Sequence, residues 1–215
     1  MQNNKDLLVI NRLGALSLTA IVLTSVIGCS SPTDANKENF KAAINDYYQQ
    51  KPECLDIGVL PYTRELSKKH TVFDEFVDIG FLKVEDVQIK NSAFAAMFDD
   101  EAPKLVPGSE YSLTTEGESQ ANINSRGRVR FCYANNEVVE VTDFTEPAER
   151  FGNVMSQVSY TYKLANIAKW AKESTYLNEK FSAIAQAAEH SDTIKEGSAP
   201  LIQMSDKWKH GNLVD

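Results

Sequence analysis

Little in this sequence points to a reaction. Among 215 residues there are three cysteines, three histidines and two tryptophans. His70, His190 and His210 form no pair at metal-ligand spacing, and no His-Glu-x-x-His occurs, so no metal site is expected. Gly-x-Ser-x-Gly, Ser-x-x-Lys with lactamase-type companions, the phosphate-binding loop and Gly-x-Gly-x-x-Gly are all missing. The expectation is therefore no cofactor and no catalytic residue. The densest carboxylate run, Asp99-Asp100-Glu101, lacks the alternating ligands and central glycine of a calcium loop and reads as a solvated loop. There is no internal repeat. Positive charge is scarce: 22 Lys and Arg against 30 Asp and Glu leave a net charge of −8, which argues against nucleic acid and against anionic lipid surfaces as partners.

What the chain does have begins at its N-terminus. Lys5 and Arg12 form a positive flank, offset by Asp6, and no charge follows from Leu13 to Ile27. That apolar run has the length of a signal-peptide core and falls short of the ~20 residues a spanning helix needs. Gly28 and Cys29 come directly after it. Val26-Ile27-Gly28-Cys29 resembles the lipobox of bacterial lipoproteins. The resemblance implies a signal peptide over 1–28, diacylglyceryl on the Cys29 sulfur, cleavage before it and acylation of the new amine. Ser30 in the next position is compatible with outer-membrane sorting, since Asp there favours inner-membrane retention in that family. Three acyl chains would hold the protein durably, because each buried CH₂ contributes about 0.8 kcal/mol and one chain alone is marginal.

Cleavage leaves 187 of the 215 residues, enough for one domain with a sizeable core. The leader contributes +1, so the remainder carries −9. Residues 29–36 read as a lipidated tether and 37–215 as one α+β globular domain with a subdivision near 122–127. The expected fold has a helical N-terminal half and a C-terminal antiparallel sheet flanked by helices. In the first half, Phe40, Ala43, Ile44, Tyr47 and Tyr48 make one apolar stripe, capped by Thr33 or Asp34 and ended by Pro52. Residues 52–61 read as a loop carrying Cys54, 64–80 as a helix and 81–90 as a strand. Residues 91–108 are ambiguous, with Pro103, Pro107 and Gly108 as breakers. Tyr111-Ser-Leu-Thr-Thr-Glu-Gly117, with Ile79-Gly80-Phe81-Leu82 before it, is similar to the strand-into-helix stretch of winged-helix domains. That resemblance spans roughly 60–121 and implies fold, not function.

The second half alternates as strands do. Residues 128–133, 137–144 and 155–164 read as three strands of an antiparallel meander, the first two separated by an Asn135-Asn136 turn. In the third, Val158, Tyr160, Tyr162 and Leu164 share one face. Helices are expected over 166–172 and 177–190, then a last strand from Leu201 that returns to the sheet edge, with Trp208 near the end.

Two constellations remain. Arg128 and Arg130, with Arg126 nearby, point to one side of a strand and can grip a carboxylate or phosphate, or simply solubilise that face. With Cys29 acylated, Cys54 and Cys132 are the only thiols left, and an oxidising compartment joins such a pair. The alternative is two thiols buried separately. Three functions fit. The first is a non-catalytic lipoprotein, on the periplasmic face of the outer membrane, that binds a protein or another envelope component. The others are a membrane-tethered hydrolase with a dispersed site, and a small-ligand carrier using the aromatic sheet face around Phe131, Tyr133, Phe144, Tyr160, Tyr162 and Trp170.

Overall fold

Alternation of apolar and polar residues is most regular between 128 and 165, and the longest strands lie there. The computed structural model describes residues 31–90 and 105–214. In chain order the elements are α1 (Lys37–Gln50), β1 (Glu53–Val59), β2 (Tyr62–Glu65), α2 (Val72–Asp78), β3 (Leu82–Lys90) and β4 (Leu105–Leu113). Then come α3 (Thr115–Gln120), β5 (Ala121–Ile123), β6 (Arg128–Phe144), β7 (Ala148–Arg150) and β8 (Asn153–Ala165). Three short helices follow, α4 (Lys169–Glu173), α5 (Thr175–Lys180) and α6 (Ser182–Glu189), and then β9 (Lys195–Gln203) and β10 (Trp208–His210).

The expected helical N-terminal half is overturned. Of the described residues 45% lie in strands and 29% in helices, and the sheets are antiparallel and curled. Residues 52–61 are not a loop: β1 pairs with β6 at the edge of a seven-stranded sheet ordered β1-β6-β8-β9-β10, with β5 added to β6 and β7 to β8. Residues 64–80 are not one helix. They give β2, an exposed loop and the single short helix α2. β2, β4 and β3 form a second, three-stranded sheet, and β4 runs through Pro107 and Gly108 without a break. The Asp99–Glu101 carboxylates lie outside the described residues. The misreading has a physical cause. Edge strands such as β2 carry polar residues on both sides, so their periodicity is too weak to compete with a helical pattern nearby.

In the second half, Asn135-Asn136 does not turn. β6 is one 17-residue strand, and its ladder with β8 continues through Asn135↔Ala165 and Asn136↔Leu164. Register shifts at Val138/Glu140 and Val141/Asp143 mark irregular pairing, and such bulges strengthen the local twist. The expected face of β8 is found: Val158 and Tyr160 are buried and Gln157 is exposed. The long C-terminal helix is interrupted at Phe181, and β9 begins earlier than expected and passes through Gly197 and Pro200. Gly197 lies directly opposite Tyr160, whose ring would stand 2.7 Å from an added Cβ, so the aromatic covers the bare backbone.

One strand serves two cores. The second part of β6, with Val138 and Val141, packs under α1 together with Val158, Tyr160, Ala199, Leu201 and Trp208. Phe40 sits edge-on to both Phe144 and Trp208 at 4.9 Å, and the Tyr48 and Tyr160 hydroxyls bond at 2.9 Å. Burial first, then the mutual hydrogen bond, pushes the Tyr48 hydroxyl far above its ordinary pKa. The first part of β6, with Val129, Phe131, Tyr133 and Ala134, packs against α2, the start of β3, Tyr111 and α4–α6.

The N-cap of α1 is Asn36, whose side chain accepts from the Asn39 amide at 2.8 Å. Residues 31–36 do not hang free. Asp34 binds the Ser31 amide, and the Thr33 carbonyl accepts from Gln203 Nε2 at 2.8 Å and Trp208 Nε1 at 3.0 Å. The described residues form one compact unit.

Cys54 and Cys132 are joined by a disulfide with an S–S distance of 2.06 Å. The two residues are register partners in the β1–β6 ladder, with Cα atoms 3.7 Å apart, inside the ~7 Å limit for such a bond. The bridge thus ties two adjacent strands of one sheet, not a loop to the back of it.

Candidate functional site

The stretch that resembles the winged-helix motif has a specific local task. Thr114 caps α3: its hydroxyl accepts from the Gly117 amide at 2.9 Å and donates to the Gly80 carbonyl at 2.7 Å. Gly117 presses against the Phe81 carbonyl, which would lie 1.9 Å from an added Cβ. Only glycine allows that approach. Thr114 and Gly117 therefore seat α3 on the turn that ends α2.

Asp74 anchors α2 from the other side. Its carboxylate accepts from the Tyr111 hydroxyl, the Thr71 amide at 2.8 Å, the Thr71 hydroxyl at 2.7 Å and Arg64 at 3.2 Å. Burial alone would raise its pKa. The Tyr111 and Thr71 hydrogen bonds and the Arg64 charge more than offset that, and the net shift is downward.

Between α2, α3 and α4 a cleft of about 650 Å³ opens. Its walls carry four carboxylates, Glu75, Asp78, Glu116 and Glu173, against one cation, Lys169. Phe81 and Trp170 supply the apolar part. Glu75 and Asp78 are three residues apart on α2 and so share a face. Glu75 is the best-held group. One carboxylate oxygen accepts from the Ser174 hydroxyl at 2.6 Å, and the other meets His70 Nε2 at 3.0 Å. Its side chain is 15% exposed against 42% for His70. The His70 ring packs edge-on against Tyr176 at 4.8 Å.

His70, Glu75 and Asp78 each bring one ligand atom within 4.8 Å of the others. They are the residues of this site that could hold a divalent cation. The arrangement does not suit acyl transfer. A nucleophilic serine needs a base on its hydroxyl that is oriented by a third group. Here the carboxylate stands in the middle and His70 does not touch Ser174.

The arginines singled out in the sequence lie elsewhere. Arg128 already grips a carboxylate of its own chain, Asp56, at 2.9 Å and 2.8 Å through two nitrogens. That hydrogen bond lowers the Asp56 pKa and raises that of Arg128. Arg130 donates to Asn122 at 2.7 Å. Neither lines the cleft. The aromatic face of β8 is covered by α1, with Tyr48 packed on both Tyr160 and Tyr162. Cys29 lies outside the described residues.

Sequence reading missed the cleft because it sought paired histidines. The available signal was mixed: His70, Glu75 and Asp78 within nine positions, the last two on one helix face. Ser174 and Glu173 come from about 100 residues further on and carried no signal, and Trp170 drew notice only as part of the aromatic sheet face. No family model, no curated protein and no solved structure matches the chain.

Proposed function

We propose that this is an exported lipoprotein, acylated at Cys29 and held on the periplasmic face of the outer membrane, whose folded domain binds a cationic partner in the α2–α4 cleft. The leader supports the first part: a charged flank, an apolar core, Gly28 and Cys29 in order. The cross-strand disulfide is consistent with an oxidising compartment. The observation that carries the binding reading is the cleft, with four carboxylates around an aromatic floor. Such a surface favours Lys or Arg side chains, which pair with the acids and lay their stems or planes on Trp170. A basic segment of an envelope protein is the partner class. The absence of a serine–histidine contact at Ser174 weighs against the tethered hydrolase.

Two measurements test this reading. Cys29→Ser abolishes incorporation of labelled palmitate, and equal labelling of mutant and parent would sink the anchor. A photocrosslinking residue at Gln120, inside the cleft, yields polypeptide adducts in intact cells that Glu116→Gln with Glu173→Gln diminishes. Adducts indifferent to that charge removal would sink the cationic partner.

A further inference from the structure

The hairpin that joins β7 to β8 turns through Phe151 and Gly152, and Phe151 is 97% exposed. Both residues have positive φ, 54° and 76°, as a two-residue turn of this hand requires. Asparagine or aspartate normally fills the first position, and a bulky residue there is an outlier. The chain thus holds a large aromatic at the tip of a projecting loop, in a backbone conformation that disfavours it, with nothing among the described residues to pack on. Arg150 beside it forms no ion pair among the described residues.

The place of this tip in the fold says what it meets. In the β8–β9 ladder Met155 stands opposite Ile202, and in the β9–β10 ladder Gln203 stands opposite Trp208. Gln203 and Trp208 therefore lie at the start of β8, beside the hairpin. They are also the two residues that hold the Thr33 carbonyl. The folded domain thus begins at the same end of the sheet as the Phe151 tip. Cys29 precedes Ser31 by two residues, so its reach from that end is about 7 Å. Acyl chains on Cys29 put the bilayer surface against this end of the sheet.

We infer that the Phe151 hairpin inserts into the membrane interface as a second, apolar contact that fixes the orientation of the domain on the bilayer. The inference rests on acylation of Cys29. Phe151 enters the boundary between headgroups and acyl chains, and the Arg150 guanidinium stays at the phosphate level. The contact is apolar and works on a zwitterionic surface, so the acidic charge of the domain does not oppose it. One consequence is that the tether contributes little freedom: residues 31–36 are folded onto the domain, and only residue 30 separates the anchor from it.

The test uses the full chain, expressed with its leader, purified and reconstituted into phosphatidylcholine vesicles with brominated acyl chains. Phe151→Trp adds one fluorophore to Trp170 and Trp208, and the parent protein supplies the background. The same preparation is weighed intact by mass spectrometry to read acylation. In acylated protein the added emission is blue-shifted and strongly quenched by the brominated chains. Acylated protein whose added emission matches water-exposed tryptophan overturns the insertion and leaves the anchor standing. A blue shift without quenching also overturns it, because the tip would then be covered by protein. Chain of unacylated mass that fails to bind vesicles overturns both the anchor and the insertion.

Discussion

The two parts of β6 face different kinds of neighbour. Beneath its second part lies one 14-residue helix, α1, whose Phe40, Ala43, Ile44 and Tyr48 seal the sheet in a single stripe. Beneath its first part lie four helices of five to eight residues, one that precedes β6 in sequence and three that follow it. A continuous helix covers its part of the sheet with one stripe of side chains. Short helices, each ended after one or two turns, cannot close against one another everywhere, and the carboxylate-lined cleft lies where α2 and α4 meet α3.

The largest expected effect breaks the sealed side. Tyr160 is buried with its hydroxyl on Tyr48, and an Asp there leaves a charge without a partner. Tyr160→Asp costs at least about 4 kcal/mol and yields unfolded protein by circular dichroism, whereas Thr161→Asp on the other face costs little. A greater loss from Thr161→Asp would invert the two faces.

Next comes the bridge that ties β1 to β6. Cys54 and Cys132 close a loop with a sequence separation of 78. The Cys54→Ser, Cys132→Ser double variant loses roughly 2–5 kcal/mol in urea unfolding. Purified, denatured parent protein has neither Cys54 nor Cys132 free before reduction. Two free thiols there would refute the bridge.

Gly117→Ala probes the other side alone. The methyl meets the Phe81 backbone and α3 must shift, at a cost of about 1–3 kcal/mol. Hydrogen exchange accelerates at α2, α3 and the start of β3 and stays unchanged at α1 and β8. Uniform acceleration would mean that the two cores open as one unit.

The smallest effect is a pH dependence on the α1 side. His210 is buried, stacks on Tyr47 at 3.9 Å, and accepts from the Asn212 amide at Nδ1. Burial lowers its pKa below the ordinary value of 6.5. The unfolded chain then binds the proton more readily, so stability falls as pH drops below 6.5 and the loss is complete below the folded pKa. His210→Gln flattens this part of a chemical-melt profile. The lowered Asp74 pKa acts in a separate window below 3.8, where protonation removes the stability gained from Tyr111, Thr71 and Arg64. A variant profile that still falls as pH drops below 6.5 would assign the dependence to another group.

Some of this was open to reading from residue order. The α1 stripe and the alternation of β8 are periodic signals strong enough to survive without context, because half of each element must be buried and the other half must not. The cysteine pair followed from counting and compartment. What the order of residues left open was decided by pairing. Asn135-Asn136 reads as a turn, yet both residues have partners on β8 directly after the β1 ladder ends at Ala134, and continuous pairing outweighs local turn preference. β1, β2 and β4 owe their strand state to neighbours distant in sequence. The cleft is a still more tertiary fact. Glu75 and Ser174 lie 99 positions apart, and their 2.6 Å contact exists only because β6 holds helices that precede it and helices that follow it against one core.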